Sequence, residues 1–199
     1  MCRFLETIKY HDGQFFRQSY HNKRFNRTRK KIFELDKIDL FDHIQVPEAL
    51  EDTNDVYKVR VEYDKEIQRV EFLPYVLKDI KSLRVVKDNN IDYQFKYMER
   101  SPLNTLFDKR EDCDDVLIVK NGLLSDTSYC NIALFDGSMW FTPSAPLLKG
   151  VQRSYLLEFG LIHEDEIQLR DLKFFKKIRL FNSMIEWTDC MDIKRAMIK

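Results

Sequence analysis

The chain has 199 residues, enough for one large domain or two small ones around a real core. Hydrophobic residues make up 44% and charged residues 33%, an ordinary balance for a globular protein. Lys plus Arg and Asp plus Glu each count 33, so no net field draws the protein onto nucleic acid or an anionic membrane. No apolar run approaches the ~20 residues that a membrane helix needs. The opening Met1-Cys2-Arg3-Phe4-Leu5-Glu6 lacks an apolar signal core. The four cysteines (Cys2, Cys113, Cys130, Cys190) are scattered and form no C-x-x-C pair, which predicts reduced thiols, no metal site and a cytoplasmic location.

Residues 4–10 alternate at about period two, and His11-Asp12-Gly13 then turns into a short strand at Gln14–Arg17, a hairpin. From Ser19 the apolar spacing becomes helical through Phe25, Ile32 and Phe33, and Val46-Pro47-Glu48 looks like a second helix entry. Val56–Tyr63 alternates as a strand, with Arg69–Val76 as its antiparallel neighbour. The charged stretch Lys78–Lys81 is the candidate boundary between a first domain, 1–78, and a second, 79–199. Further strands are predicted at Leu83–Val86, Val116–Val119, Asn131–Phe135, Met139–Thr142 and Ile178–Phe181, with turns at Asn121-Gly122 and Asp136-Gly137. A helix is predicted over Val151–Phe159, stopped by Gly160, and another begins near Arg170-Asp171-Leu172. This mixture predicts an α+β chain rather than a doubly wound one.

Several common sites are excluded by pattern. There is no G-x-G-x-x-G, no P-loop, no G-x-S-x-G and no H-E-x-x-H, and His11, His21, His43 and His163 lie far apart. The basic stretch Lys23–Lys31 reads as a solvated helix face, which at zero net charge argues against nucleic acid. Three segments remain. Lys96 lies in Asp92-Tyr93-Gln94-Phe95-Lys96-Tyr97-Met98, where aromatic neighbours would desolvate an amine and lower its pKa, or where its stem simply covers apolar surface. Asp126, in Leu124-Ser125-Asp126-Thr127-Ser128-Tyr129-Cys130-Asn131, is either a carboxylate held ionised by hydroxyls and amides or an ordinary turn residue. Gly150 opens a helix whose first amides, at Val151 and Gln152, form either a phosphate seat or an ordinary helix start.

In this order and spacing the segments resemble the class IV aminotransferases, the pyridoxal 5′-phosphate (PLP) fold-type IV family that includes branched-chain and D-amino-acid aminotransferases and aminodeoxychorismate lyase. The family pattern runs here through Asp126, Ser128, Asn131, Thr142 and Gly150-Val151-Gln152-Arg153. Lys96-Tyr97-Met98-Glu99-Arg100 resembles the lyase-like branch, in which Arg follows the lysine by four residues. Leu5-Glu6-Thr7-Ile8 and His21-Asn22-Lys23-Arg24 resemble an F-E-T strand and an H-x-x-R helix, and Phe181-Asn182-Ser183-Met184 a late phosphate-touching segment. The resemblance implies a small N-terminal α/β domain, a larger β-rich domain and a homodimer acting on an amino acid or aminodeoxychorismate. It also implies that Lys96 carries PLP as a Schiff base and serves as the catalytic base, and that Asp126 faces the pyridine nitrogen. Arg24, the Val151 and Gln152 amides beside Gly150, and Ser183 would hold the phosphate.

The sequence departs from the pattern at four places. Asp126 stands for the usual Glu, Ala133 for an aromatic residue, and the loop from Thr142 to Gly150 is compressed. The chain also enters the F-E-T-like strand almost at once, where relatives carry a further segment that shapes the pocket. The alternative expectation is therefore a family member that binds PLP or a partner without turnover.

Overall fold

The computed structural model describes residues 2–51 and 53–199. Contacts divide the chain into two compact units, one running through Leu77 and including Phe95–Glu99, the other made of Lys78–Gln94 and Arg100–Lys199. The mixed α and β character read from the sequence is what the structure has.

The first unit is an antiparallel sheet in the order β2-β1-β3-β4, formed by β1 (Phe4–His11), β2 (Gln14–Phe15), β3 (Tyr57–Tyr63) and β4 (Ile67–Pro74). Period-two alternation sends Phe4, Glu6, Ile8 and Tyr10 to one face, where Tyr63, Val61, Val59 and Tyr57 stand directly opposite on β3. Helix α1 (Gln18–Thr28) buries His21, Arg24, Phe25 and Thr28, the i, i+3, i+4, i+7 stripe of a helix laid on a core. Phe25 is fully buried and meets Tyr63 with ring centroids 4.7 Å apart. The apolar spacing that continues through Ile32 and Phe33 belongs to a π-helical turn, Arg29–Phe33, and not to a longer α-helix. The helix entry at Pro47 yields only a 3₁₀ turn, Glu48–Leu50.

The second unit holds two sheets. In the first, β5 (Leu83–Lys87) runs parallel to β6 (Asp115–Lys120), and β7 (Leu123–Leu124) returns antiparallel across the Asn121-Gly122 turn. The second has the order β10-β9-β8-β11-β12, from β8 (Asn131–Phe135), β9 (Trp140–Pro143), β10 (His163–Asp165), β11 (Lys177–Phe181) and β12 (Met191–Lys194). Helix α2 (Ser101–Phe107) precedes β6, and α3 (Val151–Glu158) is the crossover joining the parallel pair β9 and β10. Strand β6 is buried from Asp115 through Val119, which is why it reads as a continuous apolar run and not as an alternation. The helix expected near Arg170 is a 3₁₀ turn, Leu169–Phe174, fixed by a Gln168–Asp171 capping box. The strand-like run ahead of Lys96 is irregular; Asp88 and Asp92 side chains turn it by accepting the N–H groups of Asn90 and Gln94.

Removing the Phe25 ring leaves a cavity between α1 and the sheet. Phe25→Ala should therefore cost about 3–5 kcal/mol, read as a lower urea midpoint for unfolding.

Candidate functional site

In the first unit the alternation that builds the core also carries a carboxylate into it. Glu6 is fully buried, and Arg24 reaches it from α1 with two bonds, Nε to Oε1 at 2.8 Å and Nη2 to Oε2 at 2.6 Å. His21, one turn earlier on the helix, places Nδ1 2.6 Å from Glu6 Oε2. Burial alone would raise the Glu6 pKa. The Arg24 charge and the bonds from His21 and Arg24 reverse this and hold it at about 2. The His21 pKa is lowered by burial against the upward pull of Glu6, with the Arg24 and Lys96 charges adding to the depression. A neutral His21 that gives its Nδ1 proton to Glu6 leaves Nε2 as an acceptor, and that atom is buried without a partner among the described residues.

Lys96 belongs to the same unit. It is half-buried, its carbonyl accepts the N–H of Leu5 at 2.9 Å, and its neighbour Tyr97 makes a β-bridge to Phe4. The lysine backbone is thus stitched to β1 beside Glu6. The F-E-T-like strand, the H-x-x-R helix and the lysine of the sequence pattern converge on one cluster.

In the second unit Asp126 is buried, and its bonded donors are neutral. Asn131 Nδ2 bonds Oδ1 at 2.9 Å and the Leu148 N–H bonds Oδ2 at 2.9 Å. Burial raises its pKa to about 6, although these two bonds and the more distant Arg153 charge pull it down. The same Asn131 amide donates to the Leu148 carbonyl at 2.9 Å. Its oxygen lies against Gly150, where a Cβ would come within 2.0 Å of Oδ1. Gly150 has extended backbone (φ −67°, ψ 152°), so the glycine is required by this close approach and not by its dihedral angles.

Helix α3 starts at Val151, so the N–H groups of Val151 and Gln152 face out of its first turn without an intrahelical partner. The Gln152 side chain is buried with neither its oxygen nor its nitrogen bonded among the described residues. Arg153, fully conventional as a motif residue, is a tie: its Nη2 bonds the Pro143 carbonyl at the end of β9 (2.9 Å) and Glu164 on β10 (2.5 Å). Thr142 Oγ1 bonds the Ile132 carbonyl at 2.8 Å and locks β9 to β8. Ser183 follows β11 and is half-buried. Asp126, Asn131 and Gly150 are therefore joined directly, and Thr142 and Arg153 brace the strands and helix around them.

This arrangement is a carboxylate beside a helix N-terminus in one unit, and a lysine with an arginine-bound carboxylate in the other. A family model for class IV amino-transferases matches residues 80–193, and the chain belongs to that family. An uncharacterized protein of Haemophilus influenzae is 33% identical over 187 residues, covering 92% of this chain and 98% of the relative. The crystal structure of a candidate 4-amino-4-deoxychorismate lyase from Haemophilus somnus 129pt matches with a TM-score of 0.87 and 32% identity, over 92% of this chain and 97% of that one. A hypothetical aminotransferase from Mycobacterium tuberculosis, solved in a PLP-bound form, has the same fold at a TM-score of 0.77 and 17% identity, over 96% and 80%. The fold is thus that of the class IV aminotransferases and aminodeoxychorismate lyase-like proteins, as the motif order implied.

Two side chains of the motifs carry no expected role in the sequence alone. These are Glu6 and Asn131, and the structure makes them the groups that bond Arg24 and Asp126. The alternation of β1 carried the signal for Glu6, because it places a carboxylate among core positions, where an ion needs a partner.

The Glu6 shift predicts an acid-limb stability change. Its pKa is lowered on folding, from 4.5 to about 2, so the stabilisation is complete above about 4.5 and is lost as pH falls towards 2. The loss across that window should be on the order of 3 kcal/mol. Urea unfolding from pH 5 to pH 2 should show this slope, and Glu6→Gln should flatten it.

Proposed function

We propose that the chain binds PLP, attached at Lys96, and acts on the amine of an amino acid or an aminodeoxychorismate-like substrate by transamination or β-elimination. The observation that carries this reading is Asp126, buried with only neutral donors bonded to it among the described residues and braced beside the N-terminus of α3. A carboxylate in that setting suits a protonated ring nitrogen, and a helix start suits a phosphate. The unpartnered polar atoms of Gln152 in the first turn of α3 and of His21 beside Arg24 also fit sites built for a polar group. Membership of the class IV family supports the same group.

Bound PLP supplies an electrophilic carbon for amines and a sink for the electron pair left at the substrate Cα. Lys96 Nζ holds the cofactor and moves the Cα proton as general base. Asp126 would favour a protonated ring nitrogen by supplying a carboxylate. By the family pattern, Arg24, the Val151 and Gln152 N–H groups and the Ser183 hydroxyl would hold the phosphate, while Glu6 fixes the Arg24 guanidinium with two bonds. Return of the proton from Lys96 to the cofactor carbon would give amino-group transfer, whereas expulsion of a β-substituent by the electron pair left at Cα would give elimination, and none of these residues distinguishes the two. The family reading further implies a homodimer working in the cytoplasm.

Adding PLP to the purified chain should produce a visible absorbance band that borohydride fixes to the protein. Lys96→Ala should abolish the fixed adduct; an undiminished adduct in that variant refutes the assignment of Lys96. A screen of D- and L-amino acids and aminodeoxychorismate, read by keto acid or pyruvate release, identifies the reaction. Silence across the screen with a normal band would mean binding without turnover.

A further inference from the structure

Arg100 has no part in the proposed chemistry, yet it makes a specific contact beside Asp126. Residues 125–131 leave the sheet after β7 and carry Asp126 and Asn131 between them. The segment is tied at its start, where Ser125 N–H bonds the Ile118 carbonyl and Ile118 N–H bonds the Asp126 carbonyl, each at 2.9 Å. It is tied at its end by Asn131 in β8. Its middle is a local turn, with the Thr127 hydroxyl accepting the Tyr129 and Cys130 N–H groups. A turn bonded to itself fixes its own shape but not its position.

Position comes from Ser128. Its N–H bonds the buried Asp115 carboxylate at 3.3 Å, and its carbonyl accepts Arg100 Nη2 at 2.8 Å. The Arg100 guanidinium also lies over the Tyr129 ring, 4.2 Å from its centroid. The root of that side chain is itself held, because the Arg100 carbonyl accepts the Asn104 N–H at 2.8 Å where α2 begins. At 2.8 Å against 3.3 Å, the bond from the anchored guanidinium is the shorter of these two backbone grips on Ser128.

We propose that Arg100 is a positioning residue: by holding the Ser128 carbonyl and the Tyr129 ring, it fixes the 125–131 segment so that Asp126 stays buried against Asn131 and the Leu148 N–H. This gives the arginine of the Lys96–Arg100 pair a physical task, and it rests on the reading of Asp126 as the ligand-facing carboxylate. Without the grip the segment moves outward, water reaches Asp126, and its environment changes although no group bonded to it has been altered. The other titratable or charged groups that act on Asp126 are Arg153, on α3, and Cys130, on its own segment.

The test is the titration of the Asp126 carboxyl, followed by carbon NMR on the full chain without added PLP. Asp126→Asn assigns the signal. The wild type should titrate near the elevated value of about 6. Arg100→Met keeps an apolar stem over Tyr129 but has no donor, and should lower the midpoint by about one unit towards the ordinary carboxylate range. Arg100→Lys should restore most of the difference. An unchanged midpoint in Arg100→Met, whatever happens to its melting temperature, overturns the proposal and leaves Arg100 as a purely structural contact. If Arg100→Met does not fold, Arg100→Gln, whose amide ends two bonds short of the Nη2 position, is read the same way. PLP added to the same samples keeps the two readings apart: a shifted midpoint with no PLP band sinks the cofactor assignment and sustains the role of Arg100.

Discussion

A carboxylate buried without a bonded cation is the constraint on which the second unit is organised. Asp126 must be met by donors that cost little to hold in place, and the chain supplies the Asn131 amide and the Leu148 N–H. Asn131 can serve only because it closes on residue 150 so tightly that a side chain there is impossible. That glycine is also the residue at which α3 starts. The position of the carboxylate and the position of the helix N-terminus are therefore a single geometric fact, and Arg153 and Thr142 keep it so by pinning α3 and β9 to their neighbours.

The first unit solves the same problem the opposite way. Glu6 is also buried, but the Arg24 charge and the bonds from His21 and Arg24 more than offset its desolvation and hold it at about 2, whereas neutral donors leave Asp126 at about 6. The contrast separates their tasks. A group fixed as an anion at any working pH can orient Arg24 but cannot exchange protons. A carboxyl poised near 6 can respond to a charged partner brought beside it, because ionising it is only slightly favourable until that partner arrives.

The sequence disclosed the elements better than the reasons for them. Alternation in Phe4–Tyr10 and Val56–Tyr63 revealed β1 and β3 because one face of that sheet is core and the other polar. It could not reveal β7 or β10, which are two and three residues long and have no period to detect. Helix α2 leaves no such trace, because seven residues with a proline near the start carry too little pattern. Lys96, Asp126 and Gly150 were legible only as members of an ordered set, since each has a commoner explanation when read alone. The bonds that give them meaning join residues far apart in sequence, such as Glu6 to Arg24 and Asp126 to Leu148, and local reading does not predict such bonds.

The short acid at position 126 shows how far the frame limits the chemistry. An aspartate reaches one methylene less than the glutamate of the family pattern, so either its backbone or its ligand must come closer. The backbone is not free to do so while Arg100 grips the segment, because the Asp126 carbonyl is bonded to β6 through Ile118 and both carboxylate oxygens are already committed to Asn131 and Leu148. Adjustment must fall on what binds there. Under the proposed function, a ring nitrogen would meet the carboxylate directly or through a bridging water. Under that proposal the group that would have to fit is the ligand, and the carboxylate would be the fixed point against which it is placed.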